Sequence, residues 1–168
     1  MLIVRATRKL LPRLRAPKLE AGDESTTLLG DWYATSLPWR PHHLALFVSQ
    51  TTLLPVLLPL APAATLLQRF PEQLAEVLTR HRIDPTVIEQ ECKHNDLEHR
   101  IAPTANRSVV GSMNEFVFLA NAFTSTPHNV DPIALSMHLA EVPCGPLYKR
   151  HITPDKELQA LLGTSQAE

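Results

Sequence analysis

HLALFVSQTTLLPVLLPLAPAATLLQRFPEQLAEVLTRH, residues 43–81, carries the change of period that decides the fold. His43 to Ser49 and Thr52 to Leu60 are two β-rich runs around Gln50-Thr51, the pattern of a hairpin. Pro55 and Pro59 cannot donate to a ladder, so the second run is assigned to a sheet edge. Beyond it the period shifts. Leu67, Phe70, Leu74, Val77 and Leu78 recur at three- and four-residue steps with Gln68, Arg69, Glu72, Gln73 and Glu76 between them, which predicts a helix over 64–81 with Pro71 at a break or at a second N1 position. A hairpin followed directly by an amphipathic helix puts one helix face on a sheet.

Working outward, Leu2 to Ala6 reads as a first strand and Thr7 as the cap of a short helix cut by Pro12. Residues 16–27 are polar and aperiodic, a loop, and residues 30–35 read as a strand entered through a turn. Asp84-Pro85 supplies an N-cap and a preset N1 for a helix to about Lys93. Residues 108–123 are the most apolar helix, expected to be buried nearly all round, with Ser108 favoured over Ser112 as its cap. Ile133, Leu135, Met137 and Leu139 alternate with Ala134, Ser136, His138 and Ala140, which predicts a strand, although Asp131-Pro132 also suits a helix start. Pro154 to Leu162, between Thr153 and Gly163, is a final short helix. The expectation is a single α+β domain over 1–152, an antiparallel sheet of four or five strands with the helices of 64–93 and 108–123 on one face, then a C-terminal helix and tail over 153–168.

Composition limits the chemistry. Sixteen Lys+Arg against 17 Asp+Glu give a net charge of -1, so any polyanion site must be local. The five glycines, Gly22, Gly30, Gly111, Gly145 and Gly163, lie far apart, which excludes the Gly-rich phosphate loops of P-loop and Rossmann proteins, and no cofactor is expected. Two cysteines, Cys92 and Cys144, are too few for a disulfide framework or a four-thiolate zinc site, and a reducing cytoplasm is the expected location. The apolar run Leu53 to Ala64 is shorter than the ~20 residues a membrane span needs and holds three prolines, so no membrane association is expected. His42 and His43 are neighbours on extended backbone, which sends their rings to opposite faces, and no metal-ligand spacing occurs elsewhere; no metal site is expected.

The polar groups Asn106, Arg107, Ser108, Asn114 and Glu115 crowd the entrance of an otherwise apolar helix. A helix N-terminus with an adjacent Arg favours negative charge, so this segment, with Ser112 and with Asp31-Trp32 beside it, is the candidate ligand site. Arg107 and Asn114 are the residues on which function is expected to depend, since a guanidinium forks onto a carboxylate or phosphate and capping does not require Asn114. The function expected is a non-catalytic or weakly catalytic interaction module that binds a partner protein, nucleic acid or small anion. The alternatives are a small hydrolase using Ser112 with a histidine, and a nuclease using Arg107, Glu115 and a histidine. Six cations precede Glu20, and they and Tyr148-Lys149-Arg150-His151 are candidates for phosphate contact.

Thr7 to Leu11, Leu29 to Ala34, Asn106 to Phe116 and Pro143 to Leu147 together resemble a family of small bacterial proteins known only as a domain of unknown function. The anchor is Arg-Ser-Val-x-Gly-Ser-Met-Asn-Asp/Glu-Phe at Arg107 to Phe116, and the likeness runs from the first strand to about Arg150, leaving 153–168 outside. The resemblance implies no activity and no catalytic residue.

Overall fold

A computed structural model describes residues 1–39, 42–124 and 130–163. Its sheet has five strands, β1 (Leu2–Ala6), β2 (Trp32–Leu37), β3 (Leu44–Ser49), β4 (Pro55–Pro59) and β5 (His99–Pro103), in the order β4-β3-β2-β1-β5. β2, β3 and β4 form an antiparallel meander, whereas β1 runs parallel to both β2 and β5, so the α+β domain holds a mixed sheet and not a wholly antiparallel one. The sequence hid β5 because it is short, starts on His99-Arg100 and follows a helix with no Gly or Pro between them. The pairing of β5 with β1 is reached through α1 (Leu66–Arg80) and α2 (Pro85–Leu97), the long crossover a parallel neighbour requires.

β4 lies at the sheet edge, as Pro55 and Pro59 predict. Its middle residue, Leu57, would leave backbone groups unpaired in a buried place. The Leu57 N–H donates to the Ser136 hydroxyl at 2.8 Å, and the Gln73 side-chain amide donates to the Leu57 carbonyl at 2.8 Å. Ser136 belongs to α4 (Pro132–Leu139), which corrects the strand expected over 133–139. Asp131 caps this helix by accepting from the Ile133 N–H at 3.0 Å, Pro132 stands at N1, and the buried set Leu135, Ser136 and Leu139 follows helical spacing. The apolar alternation misleads because the buried member between the leucines is the serine that serves the β4 edge.

Helices cover both faces of the sheet, a correction to the single covered face expected. On one face Leu2, Val4, Trp32, Ala34, Phe47 and Val56 meet α1, α2 and α5 (Pro154–Leu162). There Phe70 packs between Phe47, stacked at 4.4 Å between ring centroids, and Trp32, edge-on at 4.9 Å. On the other face Tyr33, Leu37, Leu46, Val48 and Leu57 meet α3 (Arg107–Phe123) and α4. β3 is buried along its whole length, the mark of a strand covered on both sides.

Three local expectations also change. Asn106, not Ser108 or Ser112, caps α3, its side-chain oxygen accepting from the N–H groups of Ser108 and Val109. α3 is not buried all round: Val109, Met113, Phe116 and Ala120 face the core, while Phe118 is 71% and Phe123 46% exposed. Thr7 does not cap a helix with its hydroxyl; its carbonyl accepts from Leu10 and Leu11, and only a 3-10 turn, Leu11–Arg13, follows. Among the described residues, no helix is long and apolar enough to cross a membrane.

Candidate functional site

The N-terminal half of α3 is fixed to the sheet at its first residue. The Asn106 N–H donates to the Tyr33 hydroxyl at 2.8 Å while the Asn106 side chain caps the helix, so one residue satisfies two backbone needs. With Met113 and Phe116 fully buried beneath it, α3 turns Ser108, Gly111, Ser112 and Glu115 sideways, toward the segment Pro143 to Pro146. Between them lies a cavity of about 370 Å³. The facing segment is held by the Cys144 N–H donating to the Ile152 carbonyl at 2.8 Å and by a 3-10 turn, Gly145–Leu147, that buries Leu147.

Both walls carry a glycine whose presence the protein's own packing does not explain. A methyl group placed on Gly111 or Gly145 meets no atom within 4 Å outside its immediate surroundings, and neither residue has a positive φ. Gly111 sits within a helix, where glycine costs roughly 0.5–1 kcal/mol relative to alanine. Both glycines line the cavity, one from α3 and one from the facing segment.

The chemistry of the lining is mild. Among the described residues Glu115 is the single charged one in the lining. Burial pushes the Cys144 thiol up to about 11, and the Glu115 carboxylate adds to the rise, so at neutral pH the sulfur is a protonated, weakly nucleophilic group. Ser112 is buried and faces the cavity, and among the described residues no histidine lines it beside Ser112. Among the described residues no group of three His, Cys, Asp or Glu side chains is placed to hold a metal ion.

Of the residues singled out by sequence, the structure brings Ser108, Ser112 and Glu115 together at this cavity. Arg107 and Asn114 are exposed; at about 100° per residue they fall on the outer flank of α3, in line with Phe118 rather than with the cavity wall. Asp31 is elsewhere, paired with Arg5 at 2.8 Å. Trp32 is fully buried on the opposite face of the sheet, against Phe70. Cys144 and Gly145 join the site from some 30 residues further along the chain, a juxtaposition that no local spacing reveals. His128 lies outside the described residues.

These features define a three-layer α+β domain with a small polar-rimmed cleft beside one exposed helix. A family model of a domain of unknown function (DUF6933) matches residues 3–157, and the chain belongs to that family. No curated protein and no solved structure matches it in the corresponding comparisons.

Proposed function

We propose that the protein is a non-catalytic interaction module whose α3 cleft receives a segment of a partner protein. The observation that carries this reading is the pair of glycines, Gly111 and Gly145, that line one cavity from its two sides, each with open space where a Cβ would stand and neither with a positive φ. Space kept open on both walls is what an inserted side chain requires. The surroundings favour a protein over a small anion. Glu115 puts negative charge on the lining, and Phe118 on the outer flank of α3 and Tyr148 just after the facing turn, 71% and 75% exposed, offer further apolar contact outside it. The segment that fits pairs an apolar side chain, inserted between the glycines, with a Lys or Arg set on Glu115. Arg107 and Asn114 on the flank of α3 extend the contact. A hydrolase or nuclease reading ranks below this one because no imidazole lines the cavity among the described residues. The two free thiols suit a reducing compartment, and we place the module in the cytoplasm.

Selection of a random 12-residue peptide library on the purified chain tests the proposal. Enriched peptides should combine an apolar residue with Lys or Arg, and they should lose at least tenfold in affinity for Gly111→Gln and for Glu115→Lys while both variants stay folded. No enrichment, or peptides that bind Gly111→Gln undiminished, would overturn it.

A further inference from the structure

A second surface lies around the 3-10 turn at the start of the chain, away from the cleft. Between residues 8 and 18 the sequence holds five cations, Arg8, Lys9, Arg13, Arg15 and Lys18, and no acid, in a chain whose net charge is -1. All five are exposed. Among the described residues none of them takes part in an ion pair, whereas Arg5, Arg80, Arg100 and Arg150 are each paired with a carboxylate and Arg69 donates to the carbonyls of Pro59, Leu60 and Pro62. The turn Leu11–Arg13 separates two depressions. One, about 440 Å³, has apolar walls from Leu11, Pro12 and Pro103 with Lys18 at its rim. The other, about 450 Å³, has apolar walls from Pro59 and Leu60 with Arg13, His42 and His43 at its rim. Pro12 lines the first and Arg13 the second, so the depressions are neighbours across a single turn.

We infer that this surface binds the sugar-phosphate backbone of a single-stranded nucleic acid without reading its sequence. Cations at the rims meet phosphates, and the apolar walls take bases, whose faces are alike enough that no base is selected. Depressions of this size accept individual nucleotides of a flexible strand, and a stiff duplex cannot bend into both. A lipid surface fits less well, because Leu10 and Leu14 point inward and the exposed large apolar side chains of the chain, Leu28, Phe118 and Tyr148 among them, lie outside this segment.

Fluorescence anisotropy with a labelled 20-nucleotide single strand of mixed sequence, at 20–200 mM salt, tests the inference on the full chain. Binding should weaken steeply with salt. Neutralising Arg13, Arg15 and Lys18, the rim cations and the one between them in sequence, to Gln should weaken it more than tenfold and reduce the log–log salt slope by about 2, at roughly 0.7 per lost phosphate contact on a single strand. The charge-matched triple Arg82→Gln, Lys93→Gln, Lys156→Gln should leave it within twofold. Absence of binding at 20 mM salt, equal loss in both triples, or tighter binding to a duplex of the same length would each overturn it. The cleft variant Gly111→Gln should bind the strand normally, which keeps this result separate from the peptide test.

Discussion

The two helical layers bury the same sheet in different ways. α1 faces β2 and β3 with an uninterrupted set of large side chains, Phe70 locked between Trp32 and Phe47, and the layer is closed off by α2 and α5. α3 buries a comparable stripe, but its other side carries an exposed Phe118, an exposed Glu115 and a glycine at the mouth of a cavity. A helix whose work is packing alone keeps its apolar residues inward. α3 departs from that rule at Phe118 and Phe123, and its Ser108 to Glu115 side opens on the cleft.

The sharpest break of the comparison is a pair of truncations. Phe70→Ala and Phe116→Ala should each lose roughly 3–5 kcal/mol in chemical denaturation, the usual cost of deleting a large buried aromatic. Phe118→Ser should change stability by less than about 0.5 kcal/mol. A large loss from Phe118→Ser would place that side chain in the core and erase the difference between the layers.

Next in size is the join between the layers at the β4 edge. Ser136→Ala leaves the buried Leu57 N–H without its acceptor, so a loss of about 1–3 kcal/mol is expected in the same measurement. Gln73→Leu, at the carbonyl of the same residue, should cost less, because a carbonyl tolerates a missing partner better than an N–H does.

A pH effect should come from the closed layer. His81 stands at the end of α1, 7% exposed, and burial lowers its pKa against the opposing pull of Asp155 and Glu141. Among the described residues its ring Nε2 has no partner, and burial favours the neutral ring in the native state. The unfolded chain therefore binds the proton first as pH falls below about 6.5, and stability is full above that value and declines beneath it until the native pKa is reached. His81→Phe should flatten the decline between pH 6.5 and 5 in thermal unfolding, and an unchanged slope would assign the acid sensitivity to other groups.

Much of this architecture was legible because local and global signals agree. Pro55 and Pro59 name the edge strand, Asp84-Pro85 opens α2, and Pro154 to Leu162 is bounded as read. The misreadings occur where one residue answers to a distant partner. Ser136 is buried to serve Leu57, and its place between leucines mimics a strand. The sequence motif groups Trp32 with the α3 segment, yet Tyr33 is the residue that reaches Asn106, and the two-residue period of β2 then forces Trp32 to the other face. The helix wall of the cleft was readable in Ser108, Ser112 and Glu115. Its opposite wall, Cys144 and Gly145, comes from a remote loop whose position depends on the whole fold.

The one substitution expected to stabilise is also the most telling about the cleft. Gly111→Ala should raise stability by about 0.5–1 kcal/mol, since the added methyl meets nothing and the helix gains a better former. A destabilised Gly111→Ala would mean that the glycine serves the fold and not a visitor.

The central claim is that the cleft between α3 and the Pro143 to Pro146 segment is where a partner binds. Amide chemical shifts of the labelled chain, recorded as a peptide selected on it is added, test this most directly. The account predicts shifts concentrated at Ser108 to Phe116 and at Cys144 to Leu147, with the amides of α1 and β1 unmoved. Shifts concentrated on α1, or absent at Gly111 and Gly145 while the peptide is bound, would contradict it.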